Sequence, residues 1–157
     1  MIEIRPLAGW PGSPPSAGDT QTLTALWERC GLTRPWNDPN ADIRLASSCE
    51  NAVILVGWQA DAPIASVMTG HDGHRGTVYY VSVDPGHRGK GYGRLMMDAA
   101  EGWLRDKGIW KLNLMVRADN QAAVDFYRAL GYAVEERIAM AKWLDPAKNP
   151  QNRQETA

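Results

Sequence analysis

The stretch that most limits what this chain can fold into is Val81 to Gly93, VSVDPGHRGKGYG. An apolar run ends at a proline turn, and Gly89, Gly91 and Gly93 then fall at every second position ahead of a helical pattern. A strand that feeds a glycine-rich turn into a helix is an anion cradle. The glycines let the backbone approach a ligand closely, and the N–H groups and dipole of the helix start face bound oxygens. A phosphate is the natural ligand. The spacing G-x-G-x-G, with Arg94 at the sixth position, misses the dinucleotide fingerprint, and the chain has no G-x-x-x-x-G-K-[ST].

The rest of the chain supplies one mixed α+β pattern. MIEIRPL alternates and reads as a strand, AGWPGSPPSAGD as a loop. Leu23, Leu26, Trp27 and Cys30 then lie at helical spacing, with Asp19 or Thr20 as N-cap and Gly31 as the stop. A short helix with Pro39 in its first turn follows. AVILVGW, PIASVMTGH and TVYYVSV, joined by short turns, predict an antiparallel meander. After the glycines, Leu95, Met96, Ala99, Ala100, Trp103 and Leu104 trace a helical stripe closed by Lys107 and Gly108. WKLNLMVR alternates as a strand, DNQAAVDFYRALG reads as a helix opened by Asp119 and closed by Gly131, and YAVEERIAMAKWL as a last strand. The expectation is a single domain over 1–144 and a tail over 145–157 without fixed structure, since DPAKNPQNRQETA lacks apolar anchors.

Composition excludes several function classes. At 157 residues the chain has the size of one domain, and 17 Lys plus Arg against 18 Asp plus Glu gives a net charge of -1. That balance argues against nucleic acid or an anionic membrane as partner, so any basic site is local. Cys30 and Cys49 fit neither a disulfide framework nor a metal spacing and read as reduced, buried small hydrophobes. The N-terminal residues lack the pattern of a signal peptide, and no apolar run reaches the ~18 residues of a membrane span. A soluble, cytoplasmic protein is the expectation. His71, Asp72 and His74 crowd one turn with too few ligands for a metal, so no metal is expected.

Two blocks carry a resemblance to a known family. Arg88, Gly91 and Gly93 in RGKGYG resemble the Q/R-x-x-G-x-G/A motif of the GNAT superfamily of acetyl-CoA dependent N-acetyltransferases, placed after Val83-Asp84-Pro85 as the family places it after V-x-P. Asn120, Phe126-Tyr127 and Gly131-Tyr132 are similar to the family's N-x5-[FY]-Y-x3-G-[FY] block. GLTRPWNDP and GHDGHRGTVYYVSV also resemble a subgroup of small bacterial acetyltransferases. The resemblance implies a mixed, mostly antiparallel sheet of six to seven strands flanked by about four helices. Its fourth and fifth strands, here TVYYVSV and WKLNLMV, would splay apart around the coenzyme. It implies that the backbone of Val81, Ser82 and Val83 pairs with the pantetheine amides. Arg88, Gly89, Lys90, Gly91, Tyr92, Gly93 and Arg94 would hold the pyrophosphate, and Asn120 would lie near the pantetheine arm.

Acetyl transfer to an amine needs an uncharged amine, a polarised thioester carbonyl and a proton for the departing thiolate. Tyr127 stands where the resemblance places a general acid, although a core aromatic could occupy that helix position equally. Met115 occupies the position at which relatives that acetylate protein N-termini can carry a glutamate, so the base is left to Tyr80, a water chain or the GHDGHRG turn. Arg34, Trp36, Asn37 and Asp38, in a loop after the first helix, and Arg117 are candidates for the acceptor side. The leading expectation is transfer of an acetyl group to a primary amine of a small molecule or peptide. The alternative is an acyl-CoA-binding sensor or interaction module of the same fold. Relatives are often dimers, and seven tryptophans leave room for an apolar interface.

Overall fold

The computed structural model describes residues 1–7 and 14–153. Within them the chain forms two compact units, one of Met1–Thr33 with Pro39–Leu114 and one of Arg34–Asp38 with Met115–Ala157. Part of the loop expected after the first strand, residues 8–13, and the end of the expected tail, residues 154–157, lie outside the described residues.

The first unit is built on a four-stranded antiparallel sheet in the order β1 (Glu3–Pro6), β2 (Ala52–Gln59), β3 (Ala62–His71), β4 (Gly76–Val83). The meander read from the sequence is present, with Ser66 opposite Ser82 and Leu55 opposite Val67. Two helices, α1 (Ala17–Arg29) and α2 (Pro39–Ser47), cover one face. Their Leu23, Leu26, Trp27, Ile43 and Ala46 cluster with Ile54, Val56 and Trp58. On the other face lies α3 (Tyr92–Asp106). A Cβ at Gly76 would meet Leu104 Cδ1 at 2.5 Å, and one at Gly57 would meet Met96 Sδ at 3.2 Å, so these two glycines let α3 settle onto the sheet. With both faces covered, β2 is buried from Val53 through Trp58 and shows a continuous apolar run instead of alternation.

Several local readings shift. The N-cap of α1 is Ser16, whose hydroxyl accepts from Asp19 N–H at 3.0 Å, three residues ahead of the expected Asp19. The buried stripe of α3 is Met96, Met97, Ala100 and Leu104, while Leu95 is exposed. Cys30 and Cys49 are half-buried, each donating its thiol proton to a carbonyl, that of Val83 and that of Leu45. Burial pushes the Cys30 thiol up, which keeps it protonated and unreactive.

The largest difference lies after α3. Among the described residues the sheet has four strands, not six to seven. WKLNLMV contributes one parallel bridge, Leu112 to Gly76, made by Gly76 N–H to Lys111 O and Asn113 N–H to Gly76 O, both 2.9 Å. YAVEERIAMAKWL forms no ladder there, and its Ile138 and Met140 are more than 90 % exposed. Alternation reports that a segment has two faces; it does not supply the neighbour whose N–H and C=O groups a strand requires.

The second unit centres on α4 (Gln121–Ala129). Asn120, not Asp119, is its N-cap, with Oδ1 accepting from Ala123 N–H at 3.1 Å. Its C-terminus closes with Gly131 N–H to Arg128 O and Tyr132 N–H to Tyr127 O, a geometry reached because Gly131 adopts φ 96°. Short 3-10 turns over Pro146–Lys148 and Pro150–Arg153 follow, the first capped by Asp145.

Candidate active site

The strand that leads into the glycine segment is irregular at one place. β3 and β4 pair continuously except around Val67, where the register shifts between Ser66 and Met68 and two residues of β4, Tyr80 and Val81, oppose one. Tyr80 takes φ 51°, a left-handed conformation that costs a non-glycine residue about 1 kcal/mol or more. Packing holds it there. Its ring stacks on Trp27 at 3.8 Å and 8°, and its hydroxyl donates to Asp42 Oδ2 at 2.6 Å.

Beneath the bulge runs a buried polar chain. Ser66 Oγ accepts from Trp27 Nε1 at 2.9 Å and donates to Tyr80 O at 2.8 Å. Its single hydrogen being used, the 2.7 Å contact with Ser82 Oγ has Ser82 as donor. The hydroxyl of Ser82 therefore belongs to the core. Asp84 N–H donates to Ile64 O at 2.7 Å, which makes Ser82 an inward-paired residue and turns the backbone of Val81 and Val83 to the outer edge of the sheet. There the Val83 carbonyl accepts from Cys30 Sγ and from Arg88 Nε, each at 3.3 Å. Ladder pairing on that outer edge is confined, among the described residues, to Gly76.

Beyond β4, Asp84 caps the three-residue turn Pro85–His87. Gly89 and Gly91 then take φ 78° and 80°, and a Cβ on either would meet nothing within 4 Å, so backbone conformation and not crowding requires glycine there. Gly91 is the N-cap of α3 and offers no side-chain hydrogen bond to the first turn, which carries no acidic residue. The helix start keeps N–H donors and a positive dipole end beside Arg88, Lys90 and Arg94. Arg88, Gly89, Lys90, Gly91, Tyr92, Gly93 and Arg94 are thus gathered with Val81, Ser82 and Val83 at one end of the sheet, as an exposed, electropositive turn suited to a phosphate.

The general-acid and acceptor-side candidates belong to the second unit. Tyr127 sits edge-on to Phe126 at 5.0 Å and to Tyr132 at 5.8 Å, and burial raises its pKa above the ordinary 10.0. Asn120 N–H donates to Arg117 O at 2.9 Å. Arg34 O accepts from Asn37 N–H at 3.1 Å, and Trp36 and Asp38 complete that exposed turn, with Trp36 37 % exposed. Met115 is 72 % exposed. His71, Asp72 and His74 close the β3–β4 turn: Asp72 Oδ1 accepts from His74 and Arg75 N–H, and His71 Nδ1 from Gly73 N–H. The sequence reading passed over Asp42, the partner of Tyr80, and over the contacts of Asp84 and His87. Nothing local marks them, because Asp42, Arg29 and Gln59 meet their partners across 28 to 55 positions of chain.

Fold and loop together define an α+β domain with an exposed basic glycine turn at the start of a helix. Residues 21–132 match the family model for the acetyltransferase (GNAT) family. An acetyltransferase of Yersinia enterocolitica is 40% identical over 126 residues, 80% of this chain and 89% of that protein. Among solved structures, an aminoglycoside N-acetyltransferase, AAC(6')-Iy, in complex with CoA aligns with a TM-score of 0.74 at 14% identity, covering 92% of this chain and 96% of the other. The ribosomal-protein-S18-alanine N-acetyltransferase from Escherichia coli aligns with a TM-score of 0.67 at 22% identity, covering 83% and 77%. This chain belongs to the GNAT family and is an acetyltransferase.

Proposed function

We propose that this protein moves an acetyl group from acetyl-CoA to a primary amine of a small molecule or peptide, by direct attack in a ternary complex. The observation that carries the reading is the basic turn with Gly89 and Gly91 left-handed, leading into the uncapped start of α3. Bound acetyl-CoA supplies the thioester carbonyl and a thiolate leaving group. The backbone from Arg88 to Arg94 binds the diphosphate. Val81 offers its N–H and C=O along the outer edge of β4, with Ser82 and Val83 setting the register of that edge and Asn120 beside the pantetheine arm.

Tyr127 is the general acid. Burial keeps its phenol protonated, the form from which a proton can pass to the forming thiolate. Tyr80, whose hydroxyl is engaged with Asp42, positions the bulge and is not assigned the base. Arg34, Trp36, Asn37, Asp38 and Arg117 form the acceptor side, the acceptor reaching the site as a small molecule or a peptide end. Met115 in place of a glutamate disfavours protein N-termini of the ribosomal type and supports, as second reading, an acyl-CoA sensor with little turnover. A single acetyltransferase domain over 1–144, in the cytoplasm and followed by a tail over 145–157, completes the reading. No helix among the described residues is long and apolar enough to cross a membrane.

The test is thiol release from acetyl-CoA against a panel of small amines, aminoglycosides, amino acids and N-terminal peptides, for wild type and Tyr127→Phe. Release stimulated by one acceptor class, lowered at least about 100-fold in Tyr127→Phe with coenzyme binding unchanged, is the expected result. Binding without release for any acceptor favours the sensor, and no binding removes the coenzyme reading.

A further inference from the structure

The turn between β4 and the glycines is stapled from both sides. Asp84 Oδ1 accepts from Arg29 Nε of α1 at 2.8 Å, and Oδ2 accepts from Gly86 N–H at 3.1 Å and lies 3.0 Å from His87 Nδ1. The other ring nitrogen of His87, Nε2, lies 3.0 Å from Oε1 of Gln59, the last residue of β2. The imidazole is thus suspended between two oxygen acceptors on different segments. It sits at the rim of a groove of about 380 Å³ that Thr22, Arg29, Asp61 and Ile64 also line.

A neutral imidazole has one N–H and one lone pair, so it donates to only one of the two oxygens. The Gln59 contact then survives only if its amide turns over to present an N–H. A doubly protonated ring donates to both. The charged groups facing His87 are Asp84 on its own turn, Arg29 on α1 and Asp61 on the β2–β3 turn, with Arg88 next in the chain and Gln59 on β2 neutral. The residues that follow, Gly89 and Gly91, have no side chains with which to fix their left-handed backbone, and glycine loses the most conformational freedom on ordering. Pre-organisation of the loop therefore depends on its flanks, α3 on one side and this staple on the other.

We propose that His87, held between Asp84 and Gln59, is a positioning residue for coenzyme binding: its protonated form clamps the turn that feeds the phosphate loop, and affinity for CoA falls when the proton is lost. This rests on the coenzyme reading above.

Calorimetric titration of CoA into the full chain at pH 5.5 and 8.0, a range in which histidines titrate, tests it with wild type, His87→Gln and Gln59→Ala. The 3′-phosphate of CoA titrates in the same range, so the quantity read is the ratio of the two Kd values in wild type divided by that ratio in each variant. The expected result is a wild-type ratio at least threefold larger than in His87→Gln, with Gln59→Ala shifted in the same direction. Equal ratios, including a uniform loss of affinity at both pH values, overturn the proposal and leave a merely structural role. Should His87→Gln fail to fold, Gln59→Ala carries the same criterion alone. Failure of the wild type to bind CoA is a different result: it removes the coenzyme reading and this inference with it.

Discussion

Replacing Ser66 with alanine tests whether the bulge is held from below. The Ser66 hydroxyl is fully buried and makes the three hydrogen bonds open to it, from Trp27 Nε1, from Ser82 Oγ and to Tyr80 O. In Ser66→Ala the indole N–H of Trp27, itself 0 % exposed, has lost its acceptor, and a buried unsatisfied donor costs about 1–3 kcal/mol. The Ser82 hydroxyl is only 2.7 Å from the missing oxygen and loses its acceptor as well, although it can rotate, so it adds about 1 kcal/mol. The sum is about 2–4 kcal/mol. At about 2–4 °C per kcal/mol for a chain of this size, the melting temperature should fall by about 5–15 °C. Urea unfolding followed by tryptophan fluorescence gives ΔΔG, and the Trp27→Phe/Ser66→Ala cycle isolates the pair: removing both partners should cost less than the sum of the single changes. A loss below about 0.5 kcal/mol in Ser66→Ala, or strict additivity in the cycle, would refute the reasoning.

Two further outcomes follow from the same end of the sheet. The hydrogen bond with His87, then that with Arg29, holds the Asp84 carboxyl at about 2, below its ordinary 3.8. A depressed carboxylate contributes stability that is fully present above the unfolded value and is lost as pH falls through the folded one. At about 1.4 kcal/mol per unit the contribution has an upper figure of about 2.5 kcal/mol, which solvent screening at this turn lowers to about 1. Asp84→Asn should therefore flatten stability between pH 4 and 2, and an acid-unfolding curve as steep as that of the wild type would contradict this. Gly91→Ala places a side chain at φ 80° in open space, so it should lower stability by about 1 kcal/mol and weaken CoA binding at least tenfold; unchanged CoA affinity would show that the left-handed turn is not part of the cradle.

The glycine turn and the meander were legible in the sequence because each rests on a local rule. A left-handed backbone needs glycine, and three apolar runs joined by short turns pair with their neighbours. Tyr80 obeys no such rule: a tyrosine gives no sign of φ 51°, and the groups that hold it, Trp27, Asp42 and Ser66, come from separate elements. His87 carries no local signal of its contacts, since its two partners lie 3 and 28 positions away. Ser16 was missed as a cap because the Pro- and Gly-rich run around it gives no periodicity from which to count back. The strands expected at WKLNLMV and YAVEERIAMAKWL had the right alternation, but register and pairing depend on a neighbour that periodicity does not name.

The bulge lets a single strand change the edge that its backbone faces between its two ends. At Gly76 the backbone faces the outer edge and the Cα faces α3, as the Lys111 and Asn113 bonds and the closeness of Leu104 show. Strict alternation from Gly76 would turn Tyr80 and Ser82 to that same edge and the Ser82 side chain toward α3. The extra residue at Tyr80 and Val81 reverses both parities: Ser82 bonds inward to β3 and sends its hydroxyl to Ser66 on the α1 side, while Val81 and Val83 turn their backbone outward. One of those two is already taken, since Cys30 and Arg88 hold the Val83 carbonyl and thereby fix where the basic turn begins. A peptide-like arm laid along β4 would meet Val81 first, directly beside the strained residue. The strain at Tyr80 thus accompanies a change of edge that a regular strand of this sequence could not make, which ties the packing of Trp27 and Ser66 in the core to the geometry of the basic glycine turn.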